Sequence, residues 1–145
     1  MRACSAPGKI VLFGEHAVVF GEPALAVAIS LRTAVSVASG SRWLVNGGSI
    51  DDERYRYVKT AVGLSGVRGP FTINIDSKIP EGSGMGSSAA VAVATLGALH
   101  SLQGDIDPRI VARDAFEVEH IVQGRASPMD TSTSTHGHGR GGAHT

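Results

Sequence analysis

A glycine-rich loop that leads into a long apolar run restricts the fold of this chain more than any other feature. Residues 82–88 read Gly-Ser-Gly-Met-Gly-Ser-Ser, and residues 89–102 are apolar on nearly every helical face. A helix that is apolar all round is buried. Its N-terminal N–H groups lack helical partners and favour an anion. The pattern predicts a phosphate-binding loop without the Gly-Lys-Ser/Thr ending of the common P-loop. A flexible loop with an ordinary serine cap is the alternative.

The remaining segments alternate between strand and helix patterns. Apolar alternation and turn residues predict strands at residues 9–13, 24–38, 43–45 and 71–75, the first of them buried and the second either one long strand or two. Helical spacing predicts helices at residues 51–64 and from Asp107-Pro108 to Gln123. From Arg125 onward the Ser, Thr, Gly and His residues predict a loop.

Charge and composition exclude several classes of protein. The 145 residues carry 13 Lys and Arg against 13 Asp and Glu, which argues against a general nucleic-acid binder. No run of apolar residues is long enough for a membrane span, and the N-terminus lacks a secretory signal. Cys4 is the single cysteine and cannot form an internal disulfide. We therefore expect a cytoplasmic protein that binds neither nucleic acid nor membrane.

Near the N-terminus, Lys9 opens an apolar segment, and Glu15-His16 follows it. A lysine at this position is a candidate cation for a phosphate or a catalytic carboxylate, or else a strand-end lysine that reaches solvent. Glu15 and His16 are candidates for binding a polar substrate. A strand-end histidine with an ordinary hydrogen bond is the alternative.

Two acidic residues in the second half of the chain are candidates for metal binding and catalysis. Glu119 lies on the border of the apolar stripe of its helix, where it could face a cleft and bind Mg²⁺, or lie at the solvent rim. Asp130 follows Pro128 in the predicted loop and is a candidate general base or charge anchor, or a turn aspartate.

The order of these motifs resembles one enzyme family. Residues 5–19 resemble the opening motif of mevalonate kinases, and residues 80–90 resemble the phosphate loop of the GHMP kinase superfamily, with Met85 where leucine is usual. Residues 124–131 look like the mevalonate kinase segment that supplies a catalytic aspartate. The resemblance extends over residues 5 to about 137.

The resemblance implies a role for each matching residue. Asp130 matches the catalytic base for the substrate hydroxyl, and Lys9 the lysine that pairs with it; both would also contact the substrate. Ser88 and Glu119 match the residues that coordinate Mg²⁺, and Glu15 and His16 match positions that line the mevalonate pocket. The segment that would bind ATP comprises Pro80, Gly82, Ser83, Gly84, Met85, Gly86, Ser87, Ser88 and Ala89.

The family resemblance also implies the fold and the reaction. We expect an α+β N-terminal ATP-binding domain at residues 1–137, a mixed sheet with helices on one face, normally followed by a second α+β domain. ATP and Mg²⁺ would serve to phosphorylate the 5-hydroxyl of mevalonate, and a homodimer is compatible with this. The alternatives are another small-molecule kinase such as phosphomevalonate kinase, or a non-catalytic nucleotide-binding homologue.

The last eight residues depart from the family pattern. Residues 138–145 contain no aliphatic side chain larger than Ala, so we expect an irregular tail rather than a core strand. Metal binding by His136, His138 and His144 is one interpretation, but no rigid scaffold would fix the ligands. We favour a truncation or frameshift near residue 137. The missing second domain would then leave apolar surface exposed and activity weak.

Overall fold

The predicted alternation of apolar and polar residues produces a mixed sheet. The computed structural model describes residues 1–14, 16, 20–126, 128–136 and 143–144. Within this part of the chain one sheet has six strands: β1 Arg2–Phe13, β2 Leu25–Ser39, β3 Leu44–Val45, β4 Gly48–Ser49, β5 Phe71–Ser77 and β6 Ala143–His144. The main strand order is β1-β2-β5-β3-β4, and all neighbouring pairs are antiparallel except β3 and β5.

Four α-helices are present in the described residues, and the central one is the apolar helix that the sequence predicts. They are α1 Arg56–Ser65, preceded by a 3-10 turn at Glu53–Tyr55, α2 Ser87–Ser101, α3 Pro108–Gln123 and α4 Pro128–His136. α2 packs on β1 and β2, and the other three helices contact α2. Residues on every side of α2 are buried, including Leu96 and Leu99. The α+β fold with helices covering the sheet is therefore confirmed.

The β1 prediction was only partly right. β1 begins seven residues earlier than the predicted strand and includes Pro7, which an edge strand tolerates because it leaves no inner ladder bond unmade. Its middle is buried, but Leu12 is 59% exposed and Phe13 57%. The expectation of a buried strand at residues 9–13 is wrong at that end, because an edge strand has a neighbour on one side only.

The loop predicted from Arg125 onward is wrong over residues 128–136, which form α4. Pro128 is the first helical residue, a position where its missing N–H costs nothing. Ser and Thr are poor helix formers in isolation. Here Thr131, Thr133 and Ser134 are buried, so packing against the core overrides that weak propensity. Asp130 consequently lies in the first helical turn of α4, so the alternative of an aspartate in a loop turn is wrong.

The C-terminal tail is described at two residues only. Ala143–His144 pairs with Ala26 and Val27 of β2, so the expectation of an irregular tail is wrong for these two residues. Residues 137–142 and 145 lie outside the described residues, and His138 is among them. None of the helices in the described part of the chain is long and apolar enough to traverse a lipid bilayer.

Candidate active site

The glycine loop ends in a helix N-terminus that no side chain caps. Gly82, Gly84 and Gly86 all have positive φ, at +67°, +75° and +73°, a conformation that favours residues without a Cβ. Gly86 is the N-cap residue of α2 and provides no side-chain hydrogen bond. Ser87 and Ser88 form the first helical turn, so the alternative of an ordinary serine cap is wrong. The first N–H groups of α2 are therefore oriented for an anion.

A break in the β1–β2 ladder brings β1 against this loop. Pro7 pairs with Arg32 and Lys9 with Ala28, so three β2 residues lie opposite Gly8 alone. The Lys9 backbone N–H donates to the Met85 carbonyl oxygen at 2.8 Å. A Cβ on Gly8 would lie 2.7 Å from that same oxygen. Gly8 thus permits β1 and the glycine loop to approach, and the Lys9 backbone joins them.

The Lys9 side chain forms a buried ion pair across the site. Its Nζ lies 3.1 Å from Oδ1 of Asp130, and the Lys9 side chain is 5% exposed against 28% for Asp130. A buried ammonium requires a nearby counter-charge, and Asp130 provides it. The alternative of a lysine that reaches solvent is therefore wrong, and the partly exposed carboxylate can still meet a ligand.

Ser88 and Glu119 form a second polar pair, between α2 and α3. The Ser88 hydroxyl donates to Oε1 of Glu119 at 2.8 Å, and Glu119 is 4% exposed. The alternative of a glutamate at the solvent rim is therefore wrong. Burial raises the pKa of the Glu119 carboxyl above its usual value; the Ser88 hydrogen bond opposes this, Asp130 adds to it, and Lys9 opposes it.

The chemistry of this pair fits Mg²⁺ that is shared with a phosphate ligand. A hydroxyl and a carboxylate oxygen are hard donors, and Mg²⁺ commonly takes one or two protein ligands together with substrate phosphates and water. Nowhere in the part of the chain that the structure describes are three or more His, Cys, Asp or Glu grouped to hold a metal. The two residues therefore suit a cation that arrives with a nucleotide better than a cation held by protein alone.

A cleft of about 1070 Å³ joins these groups. One wall is the glycine loop with Ser87 and Ser88, and Lys9 and Asp130 lie at the same cleft. Another part of the lining comes from the 3-10 turn and the start of α1, with Arg54, Tyr55, Arg56, Tyr57 and Val58 among its residues. A cleft of this size is large enough for a nucleotide or another ligand of similar size.

The predicted site residues fall into three groups in the structure. Lys9, Gly82, Ser83, Gly84, Gly86, Ser87, Ser88 and Asp130 line the cleft, and Glu119 contacts it through Ser88. Pro80 is exposed, Ala89 is buried within α2, and Met85 packs on the core; none of these three lines the cleft. His16 is exposed, and Glu15 lies outside the described residues.

Sequence reasoning missed the part of the cleft lining that the 3-10 turn and the start of α1 provide. Residues 54–57 read Arg-Tyr-Arg-Tyr, an alternation of cations and aromatics that could have indicated a ligand surface. It was interpreted only as the start of a helix. Gly8 was also missed, because its importance depends on a contact with Met85, which lies in a distant segment.

Comparison with known proteins gives a consistent result. The family model of the GHMP kinases N terminal domain matches residues 53–138. A mevalonate kinase of Archaeoglobus fulgidus is 48% identical over 142 residues, which cover 92% of this chain and 50% of that protein. A mevalonate kinase of Methanothermobacter thermautotrophicus is 41% identical and is covered to 48%, with 93% of this chain aligned. The chain therefore spans about half the length of the curated relatives it matches.

Solved structures agree with the sequence comparison. The Methanococcus jannaschii mevalonate kinase superposes with a TM-score of 0.80 at 27% identity, over 94% of this chain and 52% of that one. A mevalonate kinase from methicillin-resistant Staphylococcus aureus superposes with a TM-score of 0.72 at 31% identity, over 98% of this chain and 54% of that one.

Proposed function

Because the chain belongs to the GHMP kinase family, we propose that it carries the ATP-binding site of a kinase that phosphorylates the 5-hydroxyl of mevalonate. Residues 1–137 are the ATP-binding domain in this proposal. The similarity to mevalonate kinases from two archaea supports this substrate. The same proposal includes a cytoplasmic location and a homodimer. Light scattering of the purified protein would test the homodimer.

The observation that carries the proposal is the Lys9–Asp130 pair beside an uncapped helix N-terminus. Phosphoryl transfer to an alcohol requires a group that orients the hydroxyl and accepts its proton, and donors that stabilise the phosphate oxygens. The partly exposed Asp130 carboxylate suits the first task. Lys9 holds that carboxylate in place through the ion pair, and its positive charge stabilises the developing negative charge.

The glycine loop and the first turn of α2 would bind the phosphates of ATP. Their backbone N–H groups have no side-chain cap to compete with a ligand. Ser88 and Glu119 would hold Mg²⁺, which when bound supplies positive charge to the transferring phosphate. Glu15 and His16 are proposed contacts of the mevalonate chain.

An ADP-release assay tests the proposal directly. Mevalonate, phosphomevalonate, galactose and homoserine are supplied as separate acceptors with Mg-ATP. Of these four acceptors, we expect only mevalonate to support ADP release. Asp130→Ala should lower kcat by about a thousandfold and change ATP affinity little, because general-base catalysis contributes on this scale. Asp76→Ala is the matched control, since Asp76 forms an exposed ion pair with Lys78 and is not among the residues that line the cleft.

A chimera keeps the test decisive if the chain alone has no turnover. In it, residues 1–136 replace the corresponding half of the Archaeoglobus fulgidus relative. Mevalonate-dependent ADP release that survives Asp130→Ala, or its absence from both the chain and the chimera, would contradict the proposal. Turnover with phosphomevalonate instead of mevalonate would reassign the substrate.

A further inference from the structure

One hydrogen bond outside the catalytic pair ties α4 to β1. The Ser134 hydroxyl donates to the backbone oxygen of Pro7 at 2.9 Å, and Ser134 is 2% exposed. Ser134 lies four residues after Asp130, and Pro7 lies two residues before Lys9. The two contacts are therefore one helical turn apart on α4 and one pleat repeat apart on β1.

The spacing of the two contacts matches on both elements. Four helical residues advance about 6 Å, and two strand residues advance about 6.6 Å. Asp130 and Ser134 share one face of α4. This face runs along β1 in the opposite direction, so that Asp130 meets Lys9 while Ser134 meets Pro7. Fixing one contact therefore restricts the other.

The second contact lies beside one of the two interruptions in the β1–β2 pairing. The regular β1–β2 pairing is interrupted between Pro7 and Lys9. At this interruption the Lys9 backbone bonds to the glycine loop. A strand segment without a regular ladder needs another restraint, and the Ser134 hydroxyl supplies one.

We infer that Ser134 is a positioning residue, which holds α4 against β1 so that the Asp130 carboxylate stays beside the Lys9 ammonium. The inference rests on the proposed function for its catalytic meaning, but the contact itself can be tested without turnover. Ser134 has no direct part in the chemistry, because it lies outside the cleft lining and acts through the pair.

The chemical reactivity of Lys9 reports on the pair. We would measure trace acetylation of this chain by acetic anhydride, using peptide mass spectrometry, with the exposed Lys59 and Lys78 as internal standards. In the wild-type chain the buried, paired Lys9 should react slowly. Asp130→Asn removes the ion pair and should raise its rate. Ser134→Ala should raise the rate about fivefold, because the carboxylate is no longer held in place.

The double variant separates positioning from a general loss of structure. If Ser134 acts through Asp130, adding Ser134→Ala to Asp130→Asn should change Lys9 acetylation no further. A merely structural role would give effects that multiply and would raise the rates of other buried groups as well. An unchanged Lys9 rate in Ser134→Ala, or multiplying effects in the double variant, would overturn the inference.

The chain offers a matched control on the same helix. Thr133 is equally buried, and its hydroxyl has no hydrogen-bond partner among the described residues. Thr133→Val removes that hydroxyl at constant shape and should leave Lys9 acetylation unchanged.

If Ser134→Ala does not fold, as judged by circular dichroism, Ser134→Cys retains the volume with a weaker donor. We expect an intermediate rate, and a wild-type rate in Ser134→Cys would count against the inference. If the acetylation pattern is as predicted but neither the chain nor the chimera has kinase activity, only the proposed function is refuted.

Discussion

The N-termini of α2 and α3 are built in opposite ways. At α3, the Asp107 carboxylate accepts from the Arg109 backbone N–H, and Pro108 occupies the first helical position. At α2, Gly86 precedes the helix with φ of +73° and offers no side chain at all. The N-terminus of α3 is capped by its own side chain, whereas the N-terminus of α2 leaves its N–H donors for a ligand. The difference is what the proposed phosphate site at α2 requires, because a side-chain cap would compete with the ligand for the same N–H groups.

The largest expected effect comes from placing a side chain at the open end. Gly86→Ala adds a Cβ that would lie 2.9 Å from Lys9 Cγ, in a left-handed conformation. We expect a loss of about 3 kcal/mol in the free energy of unfolding, measured with urea, from backbone strain and the clash together. Gly124→Ala is the control after α3, with φ of +76° and no atom within 4 Å of the added Cβ. It should lose only about 1 kcal/mol. Equal losses would show that Lys9 does not restrict this position.

A negative charge in the first turn of α2 should separate stability from ligand binding. Ser87→Asp complements the helix dipole and should stabilise the chain without nucleotide by about 0.5 kcal/mol. The same carboxylate repels a triphosphate, so we expect ATP affinity to fall about tenfold by calorimetry. Ile110→Asp places the charge in the first turn of α3 and should leave ATP affinity unchanged. Undiminished ATP binding by Ser87→Asp would argue against phosphate binding at α2.

Removing the cap of α3 should affect stability alone. The hydrogen bonds from Arg109 hold the pKa of the Asp107 carboxyl below its usual value of 3.8, so the ionised cap stabilises the fold above that pH and is lost on acidification. We expect Asp107→Ala to lower Tm by about 3 °C at pH 7. ATP affinity, measured in parallel, should stay at the wild-type value. A matching loss of ATP affinity would mean that the two helix ends are not independent.

The pH dependence of stability due to Glu119 should be opposite in sign to that due to Asp107. It should also be the smallest effect of the series. Burial raises its pKa in the folded chain, so the unfolded chain ionises first as the pH rises above 4.5. Ionisation of Glu119 therefore destabilises the fold above pH 4.5, and Glu119→Gln should raise Tm by about 2 °C at pH 7. The gain should vanish below pH 4.5, where both states are protonated. The exposed Glu117→Gln should show no such gain at either pH. A gain that persists in acid would assign the effect to packing.

Local chemistry explains why some elements were predictable. Asp107, Pro108 and Gly124 define the start and end of α3 within a few residues of sequence, and the structure has α3 at those bounds. The alternation in β5 and the apolar run of α2 likewise depend only on short-range patterns. These elements were predicted because the signal and the structure lie in the same segment.

The elements that were missed depend on distant contacts. The Ser and Thr residues of α4 favour a loop when taken alone, and burial of Thr131 and Ser134 against the core makes them helical. Pro7-Gly8 indicates a turn, but the sequence does not reveal that Met85 approaches Gly8 from another segment. Periodicity could not have paired Lys9 with Asp130, and family resemblance suggested that pairing. Their catalytic roles remain a proposal for the kinase assay.

The interruption opposite Gly8 makes chain length a determinant of the site. Three residues of β2 separate Ala28 from Arg32, whereas one residue of β1 separates Lys9 from Pro7. Deleting two of those three would restore an even ladder and draw the Lys9 backbone toward β2, away from Met85. This stretch of β2 should therefore accept substitutions more readily than insertions or deletions. Its residue count, more than its residue types, determines where the ammonium lies.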